Sequence, residues 1–209
     1  MVPAHKTPSW VQRIFPYRIW QKKTDDQSIY LTFDDGPVPG VTDYVLDQLE
    51  KRGQKATFFM VGDNVRKHSN LAREVLKAGH SIGNHTFHHL HGLRYSKETY
   101  LEDVQKCDQI FQEVLGFETS LFRPPYGWMK PSQAKALAQE KQIVMWDILT
   151  GDYDPKLSPD KILQASLKKL EPGSIVVFHD QEKTGEVLPK VLPDFLDQLI
   201  ERGLQTGVL

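Results

Sequence analysis

Cysteine is nearly absent from this chain. A single residue, Cys107, cannot staple it with an internal disulfide framework. Charge of one sign is lacking as well: 26 lysines and arginines stand against 27 aspartates and glutamates, and the net charge is -1. With no basic run, there is no electrostatic footprint for a nucleic acid. Apolar runs of bilayer-crossing length are missing. In 1–20 (MVPAHKTPSWVQRIFPYRIW) Pro8, Arg13, Pro16 and Arg18 break every apolar stretch, so the segment reads as neither a signal peptide nor a membrane anchor. These absences predict a cytoplasmic chain with no integral membrane segment and no nucleic-acid partner. Repeats, linkers and low-complexity segments are absent too. What is there is 209 residues, 39% hydrophobic and 25% charged, enough for one sizeable core.

From residue 28 onward short apolar runs alternate with amphipathic helical stretches, the βαβα pattern of a parallel sheet. Strands are expected at 28–33 (SIYLTF), 56–61 (ATFFMV), 81–83, 121–122, 143–148, 174–178 and from 204. Helices are expected at 42–52, 71–78, 96–115, 131–141, 158–170 and 192–202. Thr42 and Ser158-Pro159 supply N-terminal signals; Gly53, Gly79, Gly116 and Gly203 stand just past helix ends. About seven parallel strands with helices between them predict an α/β fold, a closed or nearly closed barrel smaller than the eightfold one. Cys107 falls in phase with Tyr100, Val104, Phe111 and Val114 and reads as core. In 1–27, Trp10, Val11, Ile14 and Phe15 form one apolar face of a short helix, expected to pack on the body of the domain rather than on a membrane surface.

In folds of this kind the site lies at the C-terminal ends of the strands. Asp34, Asp35, Asn84, His85, Arg123, Asp147, Asp152, His179 and Asp180 all fall there, far apart in sequence yet directed to one mouth. Asp34 and Asp35 follow the first strand directly and are cut off by Gly36-Pro37. Adjacent carboxylates repel, and a site that tolerates them usually holds a cation nearby. The second signal is the stretch 79–91, GHSIGNHTFHHLH, which contains five of the eight histidines. His85 and His89 are four apart, which puts both imidazoles on one face if the segment makes a helical turn. Two imidazoles and one carboxylate leave a coordination position open, the pattern of a catalytic rather than a structural metal site. His88 and His91 are read as supporting or surface residues.

Four of these stretches, Thr32-Phe33-Asp34-Asp35-Gly36, His85-Thr86-Phe87-His88-His89, Arg123-Pro124-Pro125-Tyr126-Gly127 and Ile175-Val176-Val177-Phe178-His179, resemble motifs of the polysaccharide deacetylase family, carbohydrate esterase family 4, in the family's order. The resemblance runs from about Ser28 onward and implies an irregular (β/α) barrel, with 28–209 as the catalytic domain and 1–27 as an extension packing on it. The implied activity is hydrolytic removal of acetyl groups from an acetylated carbohydrate, an N-acetylglucosamine polymer or oligomer of chitooligosaccharide or peptidoglycan type. Asp35, His85 and His89 resemble the metal ligands, for one divalent ion, zinc first and cobalt or nickel as substitutes. Asp34 resembles the general base, Arg123 the residue that holds it, Tyr126 the backbone donor to the oxyanion, and His179 the acid that protonates the leaving amine. Zinc lowers the pKa of its water toward ~7, so one carboxylate must ligate while the other stays free to take a proton.

One motif departs from the family pattern, in which an Asp-Trp pair orients the catalytic histidine. Here the stretch is 145–154, MWDILTGDYD, and Asp147, Asp152 and Asp154 all compete for that role. Asp152 is the expected orienting acid, because it follows Thr150-Gly151 and is itself followed by an aromatic residue, Tyr153. Trp128 and Met129 either line a groove or pack. The alternatives are an amidohydrolase of the same barrel acting on a non-sugar amide, and a catalytically silent carbohydrate-binding protein.

Overall fold

The computed structural model describes residues 5–15, 17–24 and 26–209. Residues 1–4, Pro16 and Asp25 of the expected extension lie outside the described residues. At the centre stands β2 (Ser28–Asp34), SIYLTFD, with every residue buried. Such a strand is covered on both faces, which is why it reads as a continuous apolar run rather than an alternating one. Around it lie β1 (Arg18–Ile19), β3 (Thr57–Met60), β4 (Ser81–Asn84), β5 (Leu121–Phe122), β6 (Gln142–Val144), β7 (Ile148–Leu149), β8 (Ile175–His179) and β9 (Gln205–Gly207). All ladders are parallel, in the order β1-β6-β5-β4-β3-β2-β8-β7, with β9 beside the first residues of β2. The helices are α1 (Ser9–Ile14), α2 (Thr42–Lys51), α3 (Gly62–Lys67), α4 (Ser69–Lys77), α5 (Lys97–Leu115), α6 (Pro131–Leu137), α7 (Pro159–Lys168) and α8 (Leu188–Glu201). They wrap the curled sheet as an irregular (β/α) barrel. Among the described residues no helix is long and apolar enough to cross a membrane.

The sheet has nine strands where about seven were expected, for two reasons. Arg18–Ile19 pairs with Ile143 and Val144, so part of the N-terminal extension joins the sheet as a further strand. The expected strand at 143–148 is divided into β6 and β7. These two stand at opposite sides of the strand order, so the chain crosses from one side of the open, curled sheet to the other through Met145-Trp146-Asp147. At that crossing the chain changes neighbours, the Met145 N–H donating to the Ile19 carbonyl at 2.7 Å and the Asp147 N–H to the Ile175 carbonyl at 3.0 Å. The Val144 and Met145 carbonyls accept from Arg123 Nε at 3.3 Å and Nη2 at 2.9 Å.

Three local expectations are corrected. Thr42 is the first residue of α2 rather than its cap; its hydroxyl accepts from the Val38 N–H and donates to Asp180. The short helix α3 went unread because GDNVRK carries one apolar side chain in its interior, too little for a helical period. On α1, Val11 and Phe15 pack against the core while Trp10 and Ile14 are 64% and 59% exposed, so the four do not share one buried face.

The main core holds the sheet to α2, α5, α7 and α8. Phe33, on the strand that carries the two aspartates, stacks on Phe58 with ring centroids 5.2 Å apart and on Phe178 at 5.9 Å. Phe58 is fully buried. Phe58→Ala should cost about 3–5 kcal/mol of stability through lost burial and a residual cavity, read as a lower urea midpoint at unchanged slope.

Candidate active site

The ends of β2, β4 and β8 and the turn after β5 bring Asp34, Asp35, His85, His89, Tyr126 and His179 to a single cleft of about 610 Å³, walled also by Asn64, Trp146, Tyr153 and Lys183. That volume suits a small-molecule or single-sugar site. Asp35 leaves the strand with φ +82°, a backbone conformation that turns its side chain away from the direction the sheet pleat would give. The two neighbouring carboxylates therefore face different partners.

Asp35, His85 and His89 offer ligand atoms that all lie within 4.8 Å of one another. His89 Nε2 is 2.9 Å and His85 Nε2 3.4 Å from Asp35 Oδ1. Ligand atoms around a tetrahedral zinc are about 3.3 Å apart, given bonds of roughly 2.0–2.2 Å. The donor set fits a divalent ion for a second reason. His85 Nδ1 lies 2.8 Å from the Arg123 carbonyl, which can only accept, so the proton sits on Nδ1 and Nε2 presents a lone pair toward Asp35. Two lone pairs facing one another require a positive charge between them. Burial works against the Asp35 carboxylate, yet the imidazoles of His85 and His89 at its oxygen and the charge on His179 outweigh it and hold its pKa well below the usual range.

The imidazoles reach Asp35 without the helical turn expected at His85–His89. The segment is a loop in which Thr86 and His89 have φ of +63° and +56°. Asn84 Oδ1 accepts from the Thr86 N–H, and Asp103 of α5 accepts from the N–H groups of Phe87 and His88. Those bonds fix the left-handed positions, which a side chain otherwise disfavours. Asp103 escaped sequence reading because nothing in an amphipathic helix marks one buried acid as a loop anchor. Asn64 escaped for the same reason as α3; its amide donates to the Asp35 carbonyl at 2.8 Å.

Asp34 is buried and turns to Arg123, whose Nη1 donates to Oδ1 at 2.6 Å and to Thr32 Oγ1 at 2.8 Å. The guanidinium is fully buried, stacked 4.0 Å over the Phe59 ring. Burial lowers the Arg123 pKa and Asp34 opposes that fall. His179, opposite, has Nδ1 2.8 Å from Asp152 Oδ1, and its backbone N–H donates to Asp152 Oδ2 at 2.8 Å. Burial lowers the His179 pKa, but the Asp152 charge and hydrogen bond, with Asp35 and Asp34 behind them, raise it to about 9. The folded chain thus keeps a proton that the unfolded chain releases near 6.5. This contribution to stability is complete below pH 6.5 and is lost as pH climbs through 9.

Of the three competing acids only Asp152 touches His179. Asp147 is fully buried and points the other way, accepting from Ser174 Oγ at 2.8 Å with Lys6 Nζ at 3.4 Å. Asp154 accepts from the Lys156 N–H within its own turn. Tyr126 lies in the left-handed region at φ +61°, its ring 5.2 Å from His91 and 4.7 Å from His89. Met129 packs in the core, whereas Trp128 is exposed. Asp180 is buried beside the Asp35 turn; burial first, then the Asp35 charge, pushes its pKa up to about 8 against hydrogen bonds from Thr42 and Gly36.

Fold and site together define the class, a metal-dependent hydrolase on an irregular (β/α) barrel. The family follows from comparison. The Polysaccharide deacetylase profile matches residues 21–145. A peptidoglycan-N-acetylglucosamine deacetylase of Bacillus cereus is 35% identical over 191 residues, covering 87% of this chain and 88% of that protein. A crystal structure of a peptidoglycan N-acetylglucosamine deacetylase bound to an aryl N-hydroxybenzamide superposes with TM-score 0.85 at 29% identity, over 96% of this chain and 94% of the other. A pseudoenzyme of the same family from Bacillus anthracis superposes with TM-score 0.81 at 25% identity, over 92% and 67%. The chain belongs to the polysaccharide deacetylase family, carbohydrate esterase family 4.

Elemental analysis should find about one divalent ion per chain, lost in Asp35→Ala and in His85→Ala. Affinity for the ion should fall as the pH is lowered, because the ligands bind it only in their deprotonated forms. A full equivalent retained by both variants would refute the ligand set.

Proposed function

We propose that this chain removes the acetyl group from N-acetylglucosamine units of a poly- or oligosaccharide of peptidoglycan or chitooligosaccharide type, with zinc as its ion. The observation that carries the reading is the division of the neighbouring carboxylates, Asp35 toward His85 and His89 and Asp34 toward Arg123. The names and activities of the relatives support the substrate class. Asp35, His85 and His89 would hold the ion, which when bound polarises the acetyl carbonyl and acidifies water.

Asp34 takes a proton from the water that attacks the acetyl carbon, and Arg123 keeps its carboxylate directed at that water. The backbone N–H of Tyr126 donates to the oxygen that gains charge, a contact whose loss costs about 10²- to 10³-fold in rate. The C–N bond then breaks as His179 Nε2 delivers a proton to the departing nitrogen, giving acetate and a free amine. Asp152 fixes Nδ1 as the other protonated position of the ring. A cation on Asp35 offsets part of the negative charge around His179 and brings its pKa below the value the bare carboxylates give. Trp146 and Tyr153, in the cleft wall, offer apolar faces to a sugar ring.

Acetate release from chitooligosaccharides, peptidoglycan fragments, acetylxylan and small amides, with and without added zinc, tests the reading. Turnover confined to small amides would favour the non-sugar amidohydrolase. Binding of the glycans without acetate from any of them would favour the silent carbohydrate-binding protein.

Two variants test the roles. Asp34→Asn should keep the ion and lose about 10²-fold or more in kcat. Asp152→Asn removes the main charge that raises the His179 pKa. The protonated acid is then lost at lower pH, so the alkaline limb of the pH-rate profile should move down while the rate falls. A limb that moves in Asp147→Asn or Asp154→Asn and not in Asp152→Asn would reassign the orienting acid.

A further inference from the structure

Asp180 is fully buried, does not line the cleft, and has no part in the reaction as derived above. It is nonetheless tied on every side to the turn that carries the two working carboxylates. Its backbone N–H donates to the Asp34 carbonyl at 3.0 Å. Its Oδ1 accepts from the Gly36 N–H at 3.1 Å, and its Oδ2 from the Thr42 hydroxyl at 2.6 Å. Thr42 Oγ1 in turn accepts from the Val38 N–H at 2.8 Å. One side chain thus receives, directly or through Thr42, the chain on both sides of Pro37. The fit is close: a Cβ placed on Gly36 would lie 2.0 Å from Asp180 Oδ2. Residue 36 must be glycine because the Asp180 carboxylate occupies the space a side chain would need.

We propose that Asp180 is a positioning residue for the deacetylation, setting the Asp34-Asp35-Gly36 turn on β2 in place against His179 on β8. The proposal rests on the metal-dependent reading above. Asp35 has φ +82°, which costs energy for a residue with a side chain, and two bonds from outside the sheet hold the turn that contains it. Asn64 takes the Asp35 carbonyl, and Asp180 takes the next N–H. Without the Asp180 acceptors, two buried donors lose their partners and the turn is free to relax toward an ordinary backbone conformation. Asp35 Oδ1 then leaves the position it shares with His85 and His89. Aspartate suits the place because two separate donors converge on it and its two oxygens offer each of them an acceptor. Asparagine keeps one acceptor and turns an N–H₂ toward the other donor.

The test measures zinc affinity by equilibrium dialysis with elemental analysis, at a temperature where each variant is folded by circular dichroism, together with kcat/KM on a chitooligosaccharide. Asp180→Asn should raise the zinc Kd and lower kcat/KM about tenfold, and Asp180→Ala should do so about 10²-fold. Should Asp180→Ala fail to fold, Asp180→Asn carries the test. Gly36→Ala should also weaken zinc binding, and Gly36→Ala with Asp180→Ala should lose less than the product of the two single losses, since the second change removes the atoms that clash. A purely structural role would lower the melting temperature and leave the zinc Kd of the folded variants at the parent value; that result, or losses that multiply without coupling, overturns the proposal. A parent chain that binds no zinc would instead overturn the functional reading on which it rests.

Discussion

The buried pair between Arg123 and Asp34 is the constraint to which the other parts of the site are fitted. A guanidinium with no solvent exposure must find acceptors for its donors inside the protein. It finds Asp34 and Thr32 on the central strand and the carbonyls of Val144 and Met145 where the chain leaves β6. Its own carbonyl accepts from His85 Nδ1 and so fixes which nitrogen of that ring faces Asp35. Asp34, the orientation of the His85 ring and the crossing at Val144-Met145 thus meet in one residue. Removing one partner from a buried pair of this kind costs about 3–5 kcal/mol, because the other charge is left without compensation.

The charge balance of the mouth follows from the same geometry. Asp34 and Asp35 line the cleft, Asp152 and Asp180 are buried beside it, and Arg123 is the guanidinium among them. The carboxylates raise the His179 pKa against burial, while burial first and the Asp35 charge second raise that of Asp180. A divalent ion would be favoured in the same field. Those carboxylates favour a proton on His179 at neutral pH, the state that its proposed role as an acid requires.

Much of this was legible in the residues and some was not. The strand 28–33 announced itself through an unbroken apolar run, because a strand covered on both faces needs apolar residues at every position. The glycine stops at 53, 116 and 203 were legible because they mark positions of positive φ just past a helix. Asp152 stood out against Asp147 because it follows the flexible Thr150-Gly151 step. Residues whose role comes from distant contacts were not legible. Asp103 and Asn64 act on loops that reach them only through the fold, and α1 turned Trp10 and Ile14 outward although spacing grouped them with Val11 and Phe15. The division of the strand at 143–148 was hidden for the same reason, since it follows a change of neighbour from Ile19 to Ile175, both distant in sequence.

The strand order also has a meaning for how the protein comes into being. The first long strand, β2, finds a neighbour in β8, and Asp180 meets Gly36 at a sequence separation of 144. During synthesis, the carboxylates of Asp34 and Asp35 therefore emerge long before the imidazole of His179. Parallel pairing over such a span is a slow, late step in folding. A growing chain that lacks β8 holds Asp34 and Asp35 without His179, so the cleft is complete only once β8 docks.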